Sequence, residues 1–215
     1  MSGKRLVIFA NGHLPDLEAA RALLRPGDFL LAADGGTRHA LAMGLMPSAI
    51  IGDLDSLTED ERRRTEAAGV QLLEHPRDKD ETDLELALRF TFHAGYRSIL
   101  VLAALGERLD QTLGNLVLLT DPAWRALDIR MDDGIEEVFF IRASAEIHGQ
   151  PGDTVSLLPW GSPAEGVVAA GLRWPLRGET LYPHKTRGVS NEMLGNAASI
   201  SIKSGLLLCV HRRNS

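Results

Sequence analysis

The feature that most constrains this chain is a change of grammar at Pro122. Before it, short apolar runs alternate with helical patterns. Residues 6–10, 29–33, 49–51 and 99–103 read as buried strands, and 15–24, 37–43, 58–68, 83–94 and 111–120 as helices. The helix over 83–94 puts Leu84, Ala87, Leu88, Thr91 and Phe92 on one face. Thr82 with Glu85 fits a capping box at its start, and Gly95 its stop; Thr58, Glu61 and Gly69 repeat the device one helix earlier. Strand–helix alternation implies a parallel sheet with helices on its faces. After Pro122 only short strand candidates follow, at 129–131, 137–141, 145–148, 154–158, 167–170, 198–202 and 206–210, separated by Gly, Pro, Asp and Ser. The expected fold is an α/β N-terminal domain with a mostly parallel sheet, then a small all-β, sandwich- or barrel-like C-terminal domain. The domains are placed at 1–124 and 125–215, with 211–215 as a frayed tail.

Charge points to one region. The 215-residue chain carries a net −6, but residues 51–85 hold twelve carboxylates against five basic side chains, a net of −7, leaving the rest at +1. A net acidic chain is a poor fit to nucleic-acid phosphate or an anionic membrane surface, so no nucleic acid and no membrane are expected as partners. The single cysteine, Cys209, excludes an intramolecular disulfide and sits in an apolar run, as a small core residue would. The apolar stretch 6–10 is too short for a signal-peptide core, and no run approaches membrane-spanning length, so a cytoplasmic protein is expected.

Four segments fall where strands of the α/β half end, the edge at which open parallel sheets bind ligands. Asp34-Gly35-Gly36-Thr37 follows a strand and opens a helix; it suits close approach of a phosphate, and equally an ordinary βα turn. Gly52-Asp53-Leu54-Asp55-Ser56 sets two carboxylates at a spacing of two, on one side of an extended backbone. Such a pair repels itself unless neutralised, as by a hard divalent cation; a solvated acidic loop is the alternative. In Asp78-Lys79-Asp80-Glu81-Thr82-Asp83, capping accounts for Asp83 but not for Asp80. In Gly106-Glu107-Arg108-Leu109-Asp110-Gln111, Arg108 suits a two-pronged phosphate contact, Asp110 a helix cap, and Gln111 with Asn115 hydrogen bonds to a base or ribose. In the β half, Trp174 suits stacking on a flat cation, and Ser190 and Asn191 hydrogen bonding to a heteroaromatic ring; core packing and turn chemistry explain them as well. No Gly-x-x-x-x-Gly-Lys-Ser/Thr loop and no Gly-x-Ser-x-Gly elbow is present.

Taken in order, Asp34-Gly35-Gly36, Gly52-Asp53-Leu54-Asp55-Ser56, Asp80-Glu81-Thr82-Asp83, the Gly106-to-Asn115 segment, Gly171-Leu172-Arg173-Trp174-Pro175-Leu176 and Val189-Ser190-Asn191-Glu192 resemble the thiamine pyrophosphokinase family across nearly the whole chain. The resemblance implies transfer of a pyrophosphoryl group from ATP to the hydroxyethyl oxygen of thiamine, giving thiamine diphosphate and AMP. It implies magnesium on Asp53, Asp55 and Asp80, and nucleotide contacts from Asp34, Gly35, Gly36, Thr82, Asp83, Arg108, Asp110, Gln111 and Asn115. Trp174, Ser190 and Asn191 would bind thiamine. The resemblance also implies a homodimer whose site forms between subunits. Apart from the resemblance, general acid–base chemistry leaves open whether a carboxylate takes the hydroxyl proton, with Asp80 or Asp83 the candidates. Two other readings compete: a metal-dependent nucleotide-sugar transferase using Asp53 and Asp55, and a binder of nucleotide or thiamine without catalysis.

Overall fold

The computed structural model describes residues 4–106 and 108–214. Glu107 lies outside them. The chain forms two compact units that divide after Gly134.

In the first unit the order is β1 (Arg5–Phe9), α1 (Leu17–Ala22), β2 (Phe29–Ala33), α2 (Thr37–Ala42), β3 (Ala49–Gly52), α3 (Glu59–Ala67), β4 (Gln71–Glu74), α4 (Asp83–His93), β5 (Ser98–Leu102), α5 (Leu109–Leu118) and β6 (Asp128–Asp132). The strands lie side by side as β6-β5-β1-β2-β3-β4, and every neighbouring pair is parallel. Parallel strands covered on both faces need unbroken apolar runs. β1 supplies one: Leu6, Val7, Ile8 and Phe9 are all 0% exposed. Thr58 caps α3 with a capping box closed in both directions, and Thr82 caps α4 by accepting from Glu85 N at 3.2 Å.

The second unit contains β7 (Glu136–Ile141), β8 (Ser144–His148), β9 (Thr154–Pro159), β10 (Ala164–Ala170), β11 (Leu176–Leu181), β12 (Asn191–Glu192), β13 (Ala197–Ser201) and β14 (Leu207–Arg212). Two antiparallel groups, β12-β9-β14-β7 and β11-β10-β13-β8, enclose one core with Ile141, Leu157, Val167, Ile200 and Cys209 in it. This is a sandwich, and Cys209 is a buried core residue as expected.

Four readings of the sequence need correction. Residues 128–132 pair in parallel with β5, so the strand expected at 129–131 belongs to the first sheet, not to the β-rich half. β4 and β11 went unseen because exposed polar residues bound or interrupt their apolar ones, as an edge strand allows. On α4 the buried stripe is wider than one face: Leu86 is buried and Phe92 is 38% exposed, set edge-on to Trp124 at the helix end. Finally, 211–214 is not frayed. His211 and Arg212 complete β14, His211 is fully buried, and the Asn214 backbone N–H donates to Asp153 at 3.0 Å.

Candidate active site

The site residues singled out in the α/β half lie beyond the carboxyl ends of strands or at the start of the helix that follows, except Asn115, which is in the second turn of α5. β1 connects outward to β2 on one side, whereas β5, its other neighbour, connects to β6 on the opposite side. A crevice opens where adjacent connections diverge in this way. It is a cleft of about 580 Å³, and Thr82, Asp83, Asp110, Gln111 and Asn115 are among its lining residues.

The carboxylates are aimed by backbone that L-residues rarely adopt. Among the described residues only Asp34, Leu54, Ala103 and Ser190 have positive φ without being glycine, at 43°, 60°, 57° and 57°. Three end β2, β3 and β5; the fourth lies in the segment read as a thiamine contact. Strained residues of this kind collect where a fold holds functional groups in place. Gly52, at φ 147°, is required for the same reason: a Cβ there would stand 2.8 Å from Asp34 Cβ. Gly36 is required by packing, because its Cβ would fall 1.9 Å from the Phe9 carbonyl oxygen.

Asp34, Asp53 and Asp55 each offer a carboxylate oxygen, and the three lie within 4.8 Å of one another. Asp34 is 6% exposed; Ser56 Oγ donates to its Oδ2, while its buried Oδ1 has no hydrogen-bond partner among the described residues. Three carboxylates this close, one of them buried and short of a partner, fit a divalent cation with oxygen ligands. Asp80 is exposed and stands outside this group, whereas Asp34, expected at the nucleotide, stands within it. Asp83 opens α4, with Lys79 Nζ 2.9 Å from its Oδ1.

The fourth segment is arranged differently from its sequence reading. Arg108 makes its two-pronged contact with Asp110, at 2.6 and 3.2 Å, and that bond holds the carboxyl below the usual aspartate range. Asp110 does not cap α5, which starts at Leu109 with Arg108 in the cap position and no side-chain cap bond. Asn115 donates its amide to Ala104 O at 2.9 Å, tying α5 to the loop after β5.

Asn11, His13, Arg38 and Lys79 carry polar groups into this region and were not singled out from sequence. Arg38 donates to Gly35 O at 3.0 Å and to Asn11 Oδ1 at 2.6 Å. His39 Nε2 donates to Gly12 O at 2.9 Å; burial first, then the charges of Arg38 and His13, hold its ring below the ordinary histidine pKa. The usable signal was Asn11-Gly12 directly after an apolar run, the place that marks Asp34-Gly35.

In the second unit Trp174 is 57% exposed, so core packing does not account for it. Its backbone is clamped from both sides by Asn191, whose Oδ1 accepts from Trp174 N at 3.0 Å and whose Nδ2 donates to Trp174 O at 2.7 Å. Arg173 lies over the indole at 5.3 Å from its centroid. The Ser190 backbone N–H donates to Ser156 Oγ at 3.0 Å.

A parallel α/β unit with carboxylates at its ligand edge, followed by a β-sandwich, defines a class of two-part proteins with a candidate ligand site at the sheet edge. Comparison with known proteins narrows it. Residues 20–132 match the thiamin pyrophosphokinase catalytic domain, and 143–207 the thiamin pyrophosphokinase vitamin B1 binding domain. This chain belongs to the thiamin pyrophosphokinase family and is an enzyme of it. It is 29% identical over 182 residues to thiamine pyrophosphokinase of Bacillus subtilis, covering 84% of this chain and 85% of the relative. Against thiamine pyrophosphokinase 1 of Oryza sativa subsp. japonica it is 29% identical over 239 residues, covering 97% and 87%. The crystal structure of the Bacillus subtilis enzyme superposes with a TM-score of 0.88 at 25% identity, over 99% of this chain and 100% of that one.

Proposed function

We propose that this chain transfers a pyrophosphoryl group from ATP to the hydroxyethyl oxygen of thiamine, releasing AMP. The observation that carries the reading is the convergence of Asp34, Asp53 and Asp55 within 4.8 Å, in a chain of this family. Those three residues would hold magnesium, which would supply positive charge to offset what builds on the phosphoryl oxygens during transfer. Nucleotide occupies the cleft between the loops after β1 and β5, where Gln111 and Asn115 stand; Gly35 and Gly36 serve it indirectly, by letting the turn after β2 pack against Asn11 and the end of β1. Thr82 fixes the start of α4 and so the place of Asp83. Thiamine stacks on Trp174 and bonds to Ser190 and Asn191. Its hydroxyl proton goes to Asp83 or Asp80. Asp83→Asn and Asp80→Asn separate these: the acceptor's variant lowers kcat by about 100-fold and leaves both KM values near wild type.

The protein works as a cytoplasmic homodimer, with Trp174 serving the partner's nucleotide unit. Sedimentation at micromolar concentration tests this, and a fully active monomer refutes the shared site. The central experiment measures AMP release from ATP with and without thiamine, in magnesium and in EDTA. Release that needs both thiamine and magnesium supports the reading. Absence of thiamine-dependent AMP overturns it, in favour of a nucleotide-sugar transferase or a non-catalytic binder.

A further inference from the structure

We propose that a basic cleft beside the carboxylate group is a subsite for the phosphate of a nucleoside monophosphate, with Arg38 as its central contact. The inference rests on the reading of ATP as donor and AMP as leaving group.

The cleft measures about 350 Å³, and its lining includes Asn11, His13, Arg38, His39, Arg108 and Gln111. Asn11 and Gln111 also line the larger cleft, so one ligand can extend from one into the other. The smaller cleft has ample room for a phosphate, and the larger for a nucleoside. The two arginines differ in what they hold. Arg108 is forked onto Asp110 and largely neutralised by it. Arg38, an exposed residue, bonds only neutral oxygens, those of Gly35 and Asn11; no described carboxylate ion-pairs with it, though its charge reaches Glu61 and, after the hydrogen bonds from Thr58, helps lower that carboxyl's pKa. Two of its five N–H groups fix the guanidinium plane, and the rest of the fork remains for an anion. This is a preorganised receptor: the cost of ordering a long side chain is met before the ligand arrives. His39, whose pKa burial lowers, donates to Gly12 O and so fixes another residue of the lining. Gly35, which accepts from Arg38, directly follows Asp34 of the carboxylate group. Phosphates held by Arg38 and by a cation on the carboxylates would therefore be neighbours on one chain.

The thiamine hydroxyl oxygen forms a bond to the β-phosphorus. The bond from that phosphorus to the α,β-bridging oxygen breaks, and its electron pair stays on the α-phosphate of AMP. The hydroxyl proton passes to a carboxylate. Negative charge grows on the α-phosphate as the bond breaks, and a fixed guanidinium there favours departure.

The test is calorimetric titration of AMP and of adenosine into wild type, Arg38→Lys and Arg38→Met. It is done in EDTA, so that no cation recruits phosphate to the carboxylates. Wild type is expected to bind AMP about ten-fold tighter than adenosine, the worth of a charged hydrogen-bond pair. Arg38→Met erases that preference while adenosine affinity stays within about two-fold, and Arg38→Lys recovers part of it. In turnover, Arg38→Met raises KM for ATP and leaves KM for thiamine unchanged. Equal weakening of AMP and adenosine, or no change in either, overturns the subsite. Loss of AMP preference in Arg38→Met, with no thiamine-dependent turnover by wild type, upholds the subsite and removes the donor reading instead.

Discussion

Asp34 combines three properties that a carboxylate seldom has together. It is buried, it holds a φ of 43°, and one of its oxygens lacks a partner while two further carboxylates lie within reach. Without a cation this arrangement is unfavourable, because like charges at such range raise the free energy of the folded chain. Asp34→Asn therefore has two opposite effects. The metal-free protein gains thermal stability, since one repelling charge is gone. The rise in Tm that wild type shows on adding magnesium shrinks or disappears, because the variant loses a ligand that binds only in the folded state. Turnover falls by about 100-fold or more, the order expected when several kcal/mol of charge stabilisation are lost. Thermal melts with and without magnesium check the first two effects, and AMP release the third. An unchanged magnesium response in Asp34→Asn would move the cation site elsewhere.

At the scale of elements, two substitutions separate local propensity from tertiary constraint. Thr58→Ala opens the capping box of α3, an exposed helix, and should cost about 1 kcal/mol in urea unfolding. Gly36→Ala drives a Cβ into the backbone of β1, 1.9 Å from Phe9 O, where no side chain can yield. Its cost should reach about 3 kcal/mol or more, with loss of activity, because the turn carrying Asp34 must shift. The same contrast explains what was legible in the sequence. β1, β2, β3 and β5 were readable because continuous apolar runs admit few alternatives, and Thr58 with Glu61 because capping is local. β4 and β11 were not, since their half-exposed residues resemble loops until a neighbouring strand pairs with them. In the site, Asp53 and Asp55 announced themselves by spacing. Arg38 did not, because its partner Asn11 is 27 residues away and only the adjacency of β1 and β2 brings them together. Asp34 was seen, but its place among the metal-facing carboxylates depends on the β2–β3 register, which no local pattern encodes.

At the scale of the whole molecule, each unit has its own core, and the β-sandwich closes with a buried ionic contact far in sequence from its start. His211 on β14 is 0% exposed, with Nε2 3.0 Å from Asp153 Oδ2 and Nδ1 3.8 Å from Glu137 Oε2. Asp153 also accepts from Gln150 N and Asn214 N, so it fastens the turn before β9 to the end of β14. Burial opposes a charge on each partner. The carboxylates of Glu137 and Asp153 outweigh that for the imidazole and raise its pKa above 6.5. Backbone donors and the imidazole outweigh it for Asp153 and lower its pKa below 3.8. The signs follow from linkage. The protonated ring's contribution to stability is complete below pH 6.5 and is lost as pH rises through the raised value. The carboxylate's contribution is complete above pH 3.8 and is lost as pH falls through the depressed value. The contact is therefore strongest between those limits. Melting of the full chain should show wild type losing stability from pH 6 to pH 9 by more than a His211→Asn variant does. The variant should be less stable at pH 6, and the gap should narrow toward pH 9. A wild type and variant with parallel pH profiles would mean that the ring stays neutral in the folded protein, and that packing alone holds the last strand in place.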